Sequence, residues 1–209
     1  MHNKLLKILN LAIRPKALIL ISISFLSLNA QAVVIIEPYI GYGQTQVKGA
    51  DRDDYHGKQS GMVFGERAGA RIGKYFILAD LFACTGTFSP QDKSQKRDAT
   101  TSSVYLVGGI NNSRYPLRFW LGMSPLSALV IEYDGDDGDG VIFKGQGIKL
   151  GVGYDPFDFA SFNLEIFYHR YKTSREKINK NDYGERSLNR NITSTGIAIS
   201  TSIPIQFGN

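Results

Sequence analysis

The segment from Gly196 to Phe207, GIAISTSIPIQF, alternates so regularly that it leaves few folds open. Ile197, Ile199, Ile203, Ile205 and Phe207 share one parity, with Thr201 its only polar member. Gly196, Ala198, Ser200, Ser202 and Pro204, then Gln206, share the other. Successive side chains of a strand point to opposite faces, so this segment has one greasy face and one small, polar face. A strand of a soluble sandwich has the same pattern. The rest of the chain must decide between them.

The first 32 residues form an export signal. Lys4, Lys7, Arg14 and Lys16 make a basic start without an acid, Ala17 to Leu28 is apolar, and Ala30-Gln31-Ala32 supplies the small-x-small cleavage pattern. About twelve apolar residues are too few for a transmembrane helix. Cleavage after Ala32 leaves one domain, 33–209. Of the 24 Lys+Arg and 19 Asp+Glu, the leader removes four cations and no acid, so the mature charge is 20 − 19 = +1 rather than +5. The basic balance of the whole chain therefore gives no argument for nucleic acid. Cys84 is the one cysteine, so no intramolecular disulfide staples the domain.

Beyond the leader, strand-like segments alternate with short and long connections. Expected strands are Val34 to Gly43, Gly61 to Ile72, Tyr75 to Phe88, Ser103 to Asn111, Leu117 to Ile131, Val141 to Tyr154, Phe159 to Lys172 and Gly196 to Phe207. Tight turns follow the second, fourth and sixth, while long polar stretches follow the first, third, fifth and seventh. The longest polar stretch, Thr173 to Arg190, reads as a loop. Aromatics gather at the turns, where an interfacial girdle would put them: Tyr75 and Phe76, Tyr115, Phe119 and Trp120, Tyr154, Phe157 and Phe159.

Alternation is clean in several segments. Ile148, Leu150, Val152 and Tyr154 oppose Gly147, Lys149, Gly151 and Gly153, and Leu164 and Ile166 flank Glu165. Two places resist. Glu66 and Arg67 are neighbours, so one of them must face the greasy side unless a bulge intervenes or the site lies near an interface. Pro125 removes a ladder donor, which predicts a bulge or the end of the membrane segment near Ser124. Eight amphipathic strands with asymmetric connections behind an export signal predict an all-β, antiparallel, up-and-down transmembrane barrel. A soluble barrel is the alternative.

With these strands laid out, the chain resembles the small outer-membrane protein β-barrel domain family, the OmpA/OmpX-type eight-stranded barrels. EPYIGYG at Glu37 to Gly43, GARIG at Gly69 to Gly73, LRFWLG at Leu117 to Gly122, GIKLGVGYDP at Gly147 to Pro156 and the last strand carry the likeness. Here Phe207 is followed by Gly208 and Asn209, whereas the family often ends on its aromatic. The resemblance implies a bacterial outer-membrane location, contact with outer-membrane lipid and lipopolysaccharide, and recognition by the barrel-assembly machinery.

No catalytic or cofactor motif emerges. His56 falls in the first loop and His169 near the outer end of the seventh strand, flanked by Tyr168 and Arg170 without a His-x-Ser pair or a matching acid. Asp134, Asp136, Asp137 and Asp139 could offer oxygen ligands to Ca²⁺, but the EF-hand spacing is not met and a solvated acidic loop is the better expectation. The inward parities gather Glu37, Arg67, Arg71, Asp80, Arg118, Lys149 and Glu165. An eight-stranded barrel is just wide enough for side chains, so these charges should pair and plug the lumen. The expected function is non-enzymatic and structural, with long outer loops for surface interaction. The alternatives are a small pore or hydrophobic-solute channel and a lipid A-modifying enzyme.

Overall fold

The computed structural model describes residues 32–208 except 50–54, 92–94, 113, 134–138, 158 and 179–180, and for 177, 178, 181–183, 189 and 190 the backbone alone. The leader up to residue 31 lies outside the described residues, as do Asp134, Asp136 and Asp137.

The strands are β1 (Ala32–Lys48), β2 (Gly57–Ile72), β3 (Tyr75–Pro90), β4 (Arg97–Asn111), β5 (Leu117–Glu132), β6 (Gly140–Phe157), β7 (Ala160–Ile178), β8 (Asn181–Ser202) and the short β9 (Ile205–Phe207). Each strand from β1 to β7 pairs antiparallel with the next, and β1 closes the sheet by pairing with β2 on one side and with β8 and β9 on the other. β8 and β9 act as one stave interrupted at Pro204, which has no N–H to donate; Ile203 N still reaches Pro38 O at 3.1 Å. The result is a closed eight-stranded barrel. Closure leaves no sheet edge, which is what a strand-built membrane span requires.

The outward faces carry a continuous apolar band. Ile40, Leu121, Leu150, Ile166 and Ile199 are all more than half exposed, and Tyr75, Tyr115, Tyr154, Phe157 and Phe159 are exposed at the turn end. A band of this size is stable only against lipid. Phe76 and Trp120, expected among these girdle aromatics, are 4% and 5% exposed and point inward. Alternation decides it, because each follows an outward aromatic, Tyr75 and Phe119. Lumenal glycines make room for such rings. A Cβ on Gly151 would collide with the Trp120 indole, and one on Gly196 with the Phe167 ring.

Strand length is the largest departure from expectation. The strands of the closed barrel run from 15 to 22 residues, where about 9–11 tilted residues cross a bilayer. Most of Thr173 to Arg190 is a hairpin rather than a loop, with Thr173 paired to Ser187 and Arg175 to Glu185. Above the lipid both faces of a strand meet water or polar neighbours, so greasy alternation fades while backbone pairing continues. Pro125 sits in a β-bulge between Ser124 and Ser127, as its missing donor suggests. The bulge turns both serines inward.

The glycine contacts give a test. Gly151→Val should overpack the Trp120 contact and cost about 1–3 kcal/mol. Gly108→Val, where a Cβ would meet nothing within 4 Å, should be neutral. The urea midpoint of the refolded barrel, followed by its shifted mobility on unheated detergent gels, would separate the two.

Candidate functional site

The inward side chains stack into three layers. Nearest the turn end is a network of opposite charges centred on Arg67. Its Nη1 donates to Glu37 Oε1 at 2.9 Å and its Nε to Asp80 Oδ2 at 3.1 Å. Nη2 lies 3.1 Å from Glu165 Oε1, an ion pair without hydrogen-bond geometry. The guanidinium is held between the Tyr39 and Trp120 rings, 4.6 and 4.8 Å from their centroids. Planarity suits Arg to this slot between two aromatic faces.

Two further cations complete the layer. Arg118 Nη1 and Nη2 grip Glu37 at 2.6 and 3.0 Å, while its Nε faces Asp155 Oδ2 at 2.9 Å. Lys149 Nζ binds Asp80 and lies 2.8 Å from Glu165 Oε1. Neutral donors fill in the remaining valences: Tyr39 to Asp80 at 2.8 Å, Trp120 to Glu165 at 3.0 Å and Ser202 to Glu37 at 2.5 Å. Three buried cations therefore face three buried carboxylates, with Asp155 at the rim.

Six of the seven expected lumen charges, Glu37, Arg67, Asp80, Arg118, Lys149 and Glu165, thus stand in one cluster. Arg71 does not join it. Four residues along β2 from Arg67, about 13 Å, it lies half-exposed at the turn-end mouth and donates to Gln206 Oε1 at 2.8 Å. A cavity of ≈160 Å³ opens there beside Arg71, Asn111, Arg118 and Gln206.

The middle layer is neutral. His169, fully buried, meets Tyr105 Oη at 2.6 Å and Ser103 Oγ at 3.1 Å through Nε2, and Ser194 Oγ at 3.2 Å through Nδ1. Ser103 continues to Ser127 and Ser124, the pair turned inward by the bulge. These serines come from β4, β5 and β8, so no local His-x-Ser motif could reveal them. Their inward parity was the one available signal. The hydroxyls of Tyr105, Ser103 and Ser194 hold the ring from both nitrogens, and the ring is fully buried. The arrangement pins the histidine ring within the lumen.

The upper layer is apolar. Val47, Phe88, Leu129, Ile131, Phe143 and Tyr171 fill the barrel at the loop end. Tyr55, from the β1–β2 connection, covers them with its ring edge-on to Phe143 at 5.0 Å. Its hydroxyl meets Tyr133 Oη at 2.8 Å, and Tyr133 donates to Glu176 Oε1 at 2.8 Å. Burial, then the bond to Tyr55, pushes the Tyr133 hydroxyl well above the usual phenol range, so it stays a donor. Of the acidic loop, Asp139 accepts Tyr133 N at 3.0 Å through its backbone. Among the described residues no group of three His, Cys, Asp or Glu side chains is placed to hold a metal. His56 is half-exposed beside the Tyr55 cover.

No protein-family model matches the chain, and no curated protein sequence does. Solved structures match it in fold. The attachment invasion locus protein Ail of Yersinia pestis, in complex with the heparin analogue sucrose octasulfate, matches at 10% identity over 82% of this chain and 99% of that one, with a TM-score of 0.51. Neisserial surface protein A matches at 14% identity over 81% and 96%, TM-score 0.49. The outer membrane protease OmpT of Escherichia coli matches at 8% over 86% and 98%, TM-score 0.38.

Breaking the network should be costly. Glu165→Ala leaves buried cations short of a partner, and the expected loss is about 3–5 kcal/mol. Glu185→Ala removes an exposed acceptor of Lys144 and Thr173, the Lys144 pair having side chains 46% and 47% exposed, and should leave the urea midpoint where it was. Equal, negligible losses would mean that water reaches the network. The chain has the fold of the small eight-stranded outer-membrane β-barrels.

Proposed function

We propose that this chain is an integral outer-membrane barrel with a sealed lumen, and that its role is structural and surface-interactive rather than transport or catalysis. The observation that carries this is the stacking of a neutralised charge network, a pinned polar layer and an apolar plug along one narrow interior. A conducting pore needs a continuous wet path, and each layer fills the cross-section with side chains. A lipid-modifying enzyme needs an accessible nucleophile or base, and His169 is fully buried.

What remains available for function is the loop end. There the strands continue past the apolar band and carry the β1–β2, β3–β4, β5–β6 and β7–β8 connections. The short turns and both ends of the barrel stave set, Ala32 and Phe207, sit at the opposite end. With short turns periplasmic, the projecting strands lie outside the cell. Ail, whose fold is shared, is named for attachment and invasion and was crystallised with a sulfated sugar, which supports a surface-binding role for a barrel of this shape. Lipid and lipopolysaccharide surround the apolar band in this account, and the barrel-assembly machinery reads the final stave.

Two measurements test it. Refolded protein in planar bilayers should show no discrete conductance steps above the bare membrane; regular steps would move the pore ahead. A protease tag inserted after Lys96 should be cut on intact cells, while one at Asp155-Pro156 should survive until the envelope is broken. The reverse pattern would invert the topology.

A further inference from the structure

Glu66 stands where a charged side chain is least expected. β2 pairs without a register shift with β1 from Gly57 to Ile72 and with β3 over the same residues, so no bulge intervenes. Arg67 consequently points into the lumen and Glu66 out of the barrel, where it is exposed. Nor does it lie near an interface. The outward apolar residues of β2 run from Met62 to Ile72, both about half exposed, and Glu66 falls between them. It stands about 10 Å in depth from one end and about 15 Å from the other for a strand tilted by about 45°.

Its outward surroundings are apolar. Pro38 and Leu81 lie beside it in register, and Phe64 and Ala68 precede and follow it on its own face. Among the described residues it has no hydrogen bond or ion pair. A short carboxyl side chain at this depth cannot reach the headgroups as a lysine or arginine can, and an ionisable group in lipid calls for a partner.

We propose that the β1–β2–β3 face around Glu66 binds a second copy of this chain, with the two Glu66 carboxyls hydrogen-bonded to each other across a two-fold axis. Closed two-fold contacts are isologous, so a residue near the axis meets itself. A carboxyl in its acid form has one donor and one acceptor, and two of them complete a reciprocal pair. Among the described residues no cation stands on the outward apolar faces of β1, β2 and β3, and a reciprocal acid pair satisfies both carboxyls at once. The shape agrees: Ala68, Ala79 and Ala83 lie on the same face, whereas the opposite side carries Leu121, Met123, Leu126 and Leu150. Small residues let two backbones approach closely in a membrane.

The test is self-association of the mature barrel in lipid vesicles, read by energy transfer between labels at the turn end as protein is diluted with lipid. Wild type should associate as a dimer. Glu66→Gln, whose amide also donates and accepts, should retain that association, and Glu66→Leu should weaken it by about tenfold, the value of one to two hydrogen bonds in a membrane. Ala68→Cys should cross-link between copies, since the native Cys84 is buried in the lumen. Unheated gel mobility confirms that each variant is folded. A wild type that stays monomeric at every dilution, or one that associates only when other outer-membrane proteins are added, overturns the proposal. So does a Glu66→Leu variant that associates as well as wild type.

Discussion

The interior depends on Arg67. One guanidinium faces Glu37, Asp80 and Glu165, contributed by β1, β3 and β7, and is wedged between rings from β1 and β5. Residues that approach one another across the barrel can do so only when every strand holds its register. The network therefore ties the staves together through the lumen while the backbone ladder ties them around the circumference. Removing a charge from such a set leaves its partners buried and unmatched, which makes the loss of one member costly.

The same alternation that brings these charges inward sends the apolar residues to the lipid, and the two faces impose different rules. Outside, residues need only be greasy and of modest bulk. Inside, large and small must interlock: Trp120 against Gly151, Phe167 against Gly196. Toward the loop end the interior changes from charged to neutral polar to apolar, so the plug grows drier as the outer wall grows more polar. A soluble-style core thus sits inside the part of the barrel that projects beyond the membrane.

Much of this was legible in the chain itself. Period-two alternation in β6, β7 and the last stave fixed the faces of Lys149, Glu165 and the isoleucines, and Pro125 announced its bulge. The Thr173 to Arg190 hairpin was not legible, because a strand that is wet on both faces looks like a loop. Phe76 and Trp120 were misplaced by proximity to turns, although their parity already pointed them inward. Arg71 shares the parity of Arg67 but lies too far along the tilted strand to meet the same acids. The partners of His169 come from two other strands, β4 and β8, and a single strand's pattern says nothing of the cross-barrel neighbour. Glu66 was visible as an anomaly, and only the unbroken β1–β2–β3 register makes it an outward group.

The sealed lumen is the claim on which the functional account rests, and Cys84 reports on it directly. Its thiol is fully buried on the inward face of β3, beside Val63 and below the apolar plug. A small, charged, membrane-impermeant thiol reagent should leave Cys84 unmodified in the folded barrel, and modify it completely once urea has unfolded the chain. Rapid labelling of the folded protein would show a water-filled interior and contradict the plugged barrel.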